Sequence, residues 1–250
     1  MTKFIMMCGL PASGKSTIAR TRSEIDNANI HSSDEIRVEL AGDVPNQNIN
    51  EKVFQTLHRR VKEDLKNGKN TIYDATNISY KRRMAFLKEI EKFDVEKICY
   101  FVATSYENCI MNDSNRERQV GTEVIKRMYK GFWIPQMYEG WDEIKVVWDY
   151  EDKDYILSEH LNKVKHYNQD SPHHTLTLGK HLKKTKNLMT LSILKNMWIK
   201  DIEILRKAAE LHDIGKPFTR AKHQEKDHST YYQHHLIGGY MSMFLIREEL

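Results

Sequence analysis

The chain has 250 residues, a formal net charge of +4, 40% hydrophobic and 30% charged residues. That balance supports a folded globular protein and excludes the low-hydrophobicity signature of disorder. No apolar run approaches the 18 residues of a membrane span, and a charge this small does not by itself argue for nucleic-acid binding.

The charges are evenly spread, with 23 basic against 22 acidic residues in 1–150 and 16 against 13 in 151–250. The histidines are not: ten of 12 lie in the last 100 residues. The apolar run Met1–Cys8 leads directly into Gly and Pro, which suits a buried strand better than a signal peptide. Cys8, Cys99 and Cys109 lack metal spacing and read as reduced core thiols. The reduced thiols make the cytoplasm the expected location, with no membrane partner.

In chain order, short apolar runs alternate with amphipathic patterns. Strands are expected at 3–8, 29–31, 70–74, 97–104 and 144–149. Helices are expected at 15–24, 34–40, 50–66, 80–92, 105–118 and 123–132. Strands separated by helices imply βαβ units and a parallel sheet. Residues 151–168 are charged and polar and read as a linker or short linking helix. Beyond 169 no good strand pattern remains, and helices are expected at 175–188, 197–212 and 232–249. The chain thus divides into an α/β domain (1–150), a linker (151–168) and an all-α domain (169–250).

Gly9-Leu10-Pro11-Ala12-Ser13-Gly14-Lys15-Ser16-Thr17 matches the phosphate-binding pattern G-x-x-x-x-G-K-[ST]. Glycines let backbone N–H groups face phosphate oxygens, Lys15 brings an ammonium to the β/γ-phosphates, and Ser16 offers a hydroxyl to Mg²⁺. ATP and Mg are therefore the expected ligands. The guanine-selecting Asn-Lys-x-Asp of GTPases has no match: Asn162-Lys163-Val164-Lys165 lacks the Asp. A small kinase domain fits the length.

A kinase needs a carboxylate to take the acceptor hydroxyl's proton. Asp34, in Ser32-Ser33-Asp34-Glu35-Ile36-Arg37, falls in the first turn of the second expected helix, with Arg37 one turn later on the same face. The pair suits an acceptor carrying both a hydroxyl and a phosphate; the alternative is an Asp that only complements the helix dipole. Asp74, Thr76 and Asn77 follow an apolar strand and fall at the carboxyl edge of the sheet, where open α/β folds bind ligands. Either they serve Mg²⁺, the loop or the acceptor, or they cap a turn. Lys81, Arg82 and Arg83 form a basic trio, which is either an acceptor-strand contact or a solvated helix face.

The ordered set of phosphate loop, Ser-Asp-Glu-Ile-Arg, Tyr73-Asp74-Ala75-Thr76-Asn77 and an Arg-bearing segment ending in Arg127-Met128-Tyr129 resembles the 5′-kinase domain of bacteriophage polynucleotide kinases. The resemblance covers about residues 1–150. It implies transfer of the ATP γ-phosphate to a 5′-hydroxyl of RNA or DNA, with Asp34 as general base and Arg37 on the acceptor phosphate. The segment Asn115-Arg116-Glu117-Arg118-Gln119-Val120-Gly121 resembles that family's lid, with Arg118 ahead of Arg116 as the arginine that reaches the phosphates. The setting implied is nucleic-acid end repair, alongside an RNA ligase. Two rivals stand: a kinase of a small molecule, and an ATP-switched nucleic-acid-binding protein.

In the histidine-rich part, Ile202, Leu205, Ala209 and His212 share one helical stripe, and Asp213 follows. Imidazole and carboxylate are good ligands for divalent metals. His181 lies 31 residues upstream, a distance that lets an antiparallel helix return it to the same place. His181, the His212-Asp213 doublet with Ile214-Gly215-Lys216, and His234 four residues before Gly238 resemble the HD superfamily of metal-dependent phosphohydrolases. The resemblance covers about 169–250. It implies a metal site of His181, His212, Asp213 and His234 holding Mn, Ni, Co, Fe or Zn, and removal of 2′/3′ or cyclic phosphates. The distant Asp that closes such sites has no obvious counterpart before Leu250, so the domain is either active or a supporting remnant. Met241, Met243, Phe244 and Leu245 form an apolar face expected to need a cover, such as a second copy. His173, His174, His223 and His228 read as capping or loop residues.

Overall fold

The computed structural model describes residues 1–41, 49–148, 157–170, 175–189, 198–222, 225 and 227–246. His173, His174 and His223 lie outside them. The chain divides into two compact units, Met1–Met128 with Trp133–Glu151, and Tyr129–Phe132 with Asp152–Leu250.

The first unit is a parallel sheet flanked by helices. Its strands are β1 (Thr2–Cys8), β2 (Asn29–Ser32), β3 (Thr71–Asp74), β4 (Val95–Ala103) and β5 (Glu143–Trp148), in the order β2-β3-β1-β4-β5. Every neighbouring pair is parallel, so all five carboxyl ends share one edge. Phe4–Cys8 is a continuous buried apolar run, as a central parallel strand covered on both faces requires. The helices are α1 (Lys15–Asp26), α2 (Ser33–Ala41), α3 (Ile49–Lys66), α4 (Tyr80–Ile90), α5 (Tyr106–Ser114) and α6 (Thr122–Lys130). The helix expected over 105–118 stops at Ser114. There the Asp113 carboxylate takes the amides of Val120 and Gly121 and folds the next residues out of the helix. Cys8, Cys99 and Cys109 are buried thiols.

The second unit contains α7 (Leu157–Val164), α8 (Leu178–Leu188), α9 (Ile199–Leu211), a short turn of helix α10 (Lys216–Thr219) and α11 (His234–Leu245). It refines the sequence expectation in two places. Of the linker or short linking helix expected at 151–168, the described part holds the helix α7, and it packs: Val164 is buried with Leu178, Leu182, Leu211, Ile214 and Leu245, and Leu161 and Tyr167 pack against that core. The unit is also not purely helical. Ala221–Lys222 (β6) pairs antiparallel with Ser229–Thr230 (β7), and Arg220 and Asp170 both hold the Ser229 hydroxyl. A two-residue ladder leaves too short a pattern to read.

The apolar face on α11 is largely covered within the chain. Phe244 and Leu245 are buried, and Met241 packs against the core just described. This helix therefore does not need a second copy to cover it. No helix among the described residues is long and apolar enough to cross a membrane.

Candidate active site

The phosphate-binding loop joins β1 to α1 at the carboxyl edge of the sheet. Gly9 donates its amide to the Thr76 carbonyl at 3.1 Å. A Cβ at Gly9 would meet the Ser13 hydroxyl and the Val102 carbonyl at 2.8 Å, so only glycine fits. Gly14 opens α1 in the left-handed region (φ 88°). The Lys15 ammonium is buried against the Leu10 carbonyl at 2.5 Å, and burial lowers its pKa against the opposing pull of Asp74. Ser16 donates to Asp74 at 2.9 Å. Burial raises the Asp74 pKa, opposed by that hydrogen bond and by Lys15. Thr17 is exposed on the first turn of α1.

The loop opens into a cavity of about 1150 Å³. Asp34 and Arg37 line it from α2, with Arg37 donating to Asp34 at 2.7 Å and to Asn50 at 3.1 Å. The Ser32 hydroxyl accepts the Asp34 amide, so Ser32 is the cap of α2. Thr76 and Arg82 also line the cavity. The structure therefore brings Lys15, Ser16, Asp34, Arg37, Asp74 and Arg82 around one space.

Asp74 accepts the Ser16 hydroxyl at the phosphate loop, one of the places the sequence left open to it. Three other expectations change. Asn77 adopts a left-handed φ of 47° and donates to the Met7 carbonyl at 2.7 Å, so its amide holds the loop. Arg83 is fully buried and cannot touch an acceptor strand. Its guanidinium meets both Glu139 oxygens at 2.7 and 2.5 Å and donates to the carbonyls of Asn77 and Trp133. The sequence trio is thus split by helical geometry: Lys81 and Arg82 are exposed and Arg83 points inward. Finally, Arg116 lines the cavity, whereas Arg118, the arginine expected ahead of it, is not among the lining residues.

Several contributors were not singled out from sequence. Thr104 and Asn112 hold the loop by donating to the carbonyls of Ser13 and Ala12. Thr104 directly follows β4, a position that marks it as an edge residue. Asn50, Phe54 and His58 line the cavity from α3, with His58 tilted on Phe86 at 4.3 Å. Burial lowers the His58 pKa.

In the second unit His181, His212 and Asp213 converge, with the two Nε2 atoms 3.2 Å apart and each within 3.4 Å of one Asp213 oxygen. His234 approaches the other oxygen at 3.1 Å, and Lys216 donates to Asp213 at 2.7 Å. A Cβ at Gly215 would overlap the His234 carbonyl, so this glycine lets α11 come close enough to deliver His234. Burial alone would raise the Asp213 pKa, but His212, His234 and Lys216 outweigh it and hold the carboxyl far below the usual range.

With this geometry in place, the family follows. Residues 4–135, just over half the chain, match the family model AAA_33, an AAA domain. The chain belongs to the AAA_33 family. The AAA_33 domain contains the phosphate-binding loop, the Asp34–Arg37 pair and Arg116 within its matched span. Among curated proteins, the L-seryl-tRNA(Sec) kinase of Methanococcus maripaludis is 27% identical over 173 residues, covering 66% of each chain. This chain thus spans just under two thirds of that relative's length. Among solved structures, a chain of the Pnkp1/Rnl/Hen1 RNA repair complex matches at 22% identity and TM-score 0.48, over 52% of this chain and 43% of that one. A putative kinase from Chloroflexus aurantiacus matches at 15% and 0.49, over 61% and 88%. A sugar kinase from Janibacter sp. matches at 14% and 0.46, over 59% and 86%.

Proposed function

We propose that the first unit is an ATP-dependent kinase that phosphorylates the 5′-hydroxyl of RNA or DNA in end repair. The observation that carries this reading is the Asp34–Arg37 pair in the same cavity as Lys15 and Ser16. A carboxylate for a hydroxyl proton beside a guanidinium for a phosphate suits an acceptor that has both groups. The acceptor oxygen attacks the γ-phosphorus as its proton passes to Asp34, and ADP leaves. Lys15 and Arg116 stabilise the charge on the transferring phosphoryl group. Ser16 and Asp74, 2.9 Å apart, are an oxygen donor pair that fits Mg²⁺, which neutralises phosphate charge when bound. An RNA ligase is the natural consumer of the 5′-phosphate product.

The test is transfer of label from γ-labelled ATP to 5′-hydroxyl RNA and DNA oligonucleotides, seryl-tRNA, sugars and nucleosides in parallel. Label on an oligonucleotide 5′ end is expected. Label on a sugar or free nucleoside alone overturns the reading. Label on seryl-tRNA alone selects the second reading, which the match to a seryl-tRNA kinase favours: a hydroxyl borne by an aminoacyl group on tRNA.

The second unit is proposed as an HD-type metal-binding domain. Its donor set, two imidazoles and a carboxylate whose ligand atoms lie within 4.8 Å of one another, fits one divalent transition metal. His181, His212 and Asp213 would hold it, with His234 beside them. A metal held there would supply Lewis-acid chemistry at a phosphoryl oxygen, suited to removing 2′/3′ or cyclic phosphates from the same ends.

A further inference from the structure

Asp113 is a buried carboxylate, 3% exposed, that the phosphoryl-transfer chemistry does not use. It sits at the carboxyl end of α5, where the helix dipole disfavours negative charge, so its presence there is a local cost. The cost is offset by what it gathers. Its oxygens accept the amide of Val120 at 3.0 Å, the amide of Gly121 at 2.8 Å, and the Arg116 Nε at 2.8 Å, with a further short contact from Arg116 Nη2. Gly121 takes a left-handed φ of 94°, open to a glycine without strain, and α6 begins at the next residue. Gln119 closes the same segment on the Ser114 carbonyl at 2.9 Å.

One carboxylate therefore ties both ends of residues 114–121 together and grips Arg116 between them. The grip uses Nε and Nη2, so the third guanidinium nitrogen, Nη1, is not engaged by Asp113. Arg116 lines the nucleotide cavity, and Arg118, two residues on and not gripped, does not. We infer that Asp113 is the positioning residue of this site: it closes 114–121 into a strap and fixes the Arg116 guanidinium at the cavity wall. Asp113 itself does not touch the reacting atoms. The inference rests on the kinase reading for what Arg116 does, and on this geometry alone for how Arg116 is placed.

A double-mutant cycle on single-turnover phosphoryl transfer tests it, with Asp113→Ala, Arg116→Ala and both together. Each single change is expected to slow transfer about tenfold or more, on the scale of a lost charge-stabilising donor, with the KM for ATP changed less than about threefold. The double variant is expected to be no slower than Arg116→Ala. Asp113→Asn, which keeps one acceptor oxygen, is expected to fall between wild type and Asp113→Ala. Losses that multiply in the double variant overturn the inference, as does an unchanged rate in either single variant. If Asp113→Ala does not fold, Gly121→Ala replaces it in the cycle: it strains the other end of the strap and meets no atom within 4 Å. Wild-type protein that hydrolyses ATP but phosphorylates no acceptor defeats the kinase reading alone. The same cycle is then measured on hydrolysis: a double variant no slower than Arg116→Ala supports the positioning role, and multiplying losses overturn it.

Discussion

Arg37 donates to the Asp34 carboxylate at 2.7 Å, one helical turn away, while its other terminal nitrogen holds Asn50 at 3.1 Å. Arg37 therefore links α2 to the start of α3 on the wall of the cavity. The two residues should separate kinetically. Asp34→Asn keeps the shape and removes the proposed base, and is expected to lower kcat by about 10²–10⁴-fold with ATP affinity unchanged. Arg37→Ala removes the proposed acceptor-phosphate contact, and is expected chiefly to raise the acceptor KM. Steady-state kinetics with a 3′-phosphate-bearing acceptor and one lacking it checks both, since Arg37→Ala should erase the preference between them.

The Ser16–Asp74 contact leads to a second expectation. Asp74→Asn keeps the hydrogen-bonding shape but removes a buried negative charge beside the phosphate loop. The Mg²⁺ concentration giving half-maximal rate is expected to rise about tenfold, the scale of one lost outer contact to a metal. A magnesium titration of both proteins is the measurement. An unchanged midpoint would assign Asp74 to loop orientation only.

Arg83 and Glu139 form a fully buried ion pair, with both side chains at 0% exposure. Glu139 also accepts from the Trp141 indole at 3.2 Å and the Gln136 amide at 3.2 Å. Removing one partner strands the other, so Arg83→Met or Glu139→Leu alone is expected to cost about 3–5 kcal/mol. The double change is expected to recover part of that loss. Urea unfolding of the three variants is the check, and a double variant as unstable as the sum of the singles would contradict it.

Acid stability offers a further test. Burial alone would raise the Asp113 pKa, but the Gly121 and Val120 amides and Arg116 outweigh it and hold the carboxyl below its ordinary value. The unfolded chain then binds the proton more readily than the folded one. The charged Asp113 stabilises fully above about pH 4, the ordinary carboxylate pKa, and that contribution is lost as pH falls through its lowered folded value. Urea midpoints measured from pH 6 down to pH 2 should fall less steeply for Asp113→Asn than for wild type.

In the second unit, His212→Ala removes one of the three converging side chains proposed to hold a metal. Protein purified in the presence of Mn²⁺, Ni²⁺ or Zn²⁺ and dialysed is expected to retain about one metal per chain in the wild type and far less in the variant, on the scale of losing a direct ligand. Elemental analysis decides it. Equal retention would place the metal elsewhere.

Sequence alone located the parallel sheet because short strand-like runs, most apolar at β1 and β4, alternate with amphipathic helices, and this alternation survives in the folded chain. The phosphate loop and the Asp34–Arg37 face were equally visible, since their spacing is local. What was hidden depends on depth and on distant partners. Arg83 looks like its neighbours Lys81 and Arg82 until helical rotation turns it inward to Glu139, 56 residues away. Asp113 looks like a helix-end acid until its backbone partners fold back onto it. Residues 159–168 resemble part of a connector because their polar residues outnumber Leu161, Val164 and Tyr167, which pack in the core.

The central position of β1 has a consequence for the birth of the molecule. This strand leaves the ribosome well before its two neighbours, β3 and β4, which end only at Asp74 and Ala103. A nascent chain therefore carries its phosphate loop, attached to a bare apolar strand, long before the flanking strands can pair with it. Pairings so distant in sequence close late. The contacts that shape the loop come from Thr76, Thr104 and Asn112, so they form only after those residues have been synthesised, and until then the Phe4–Cys8 run lacks the neighbours that bury it.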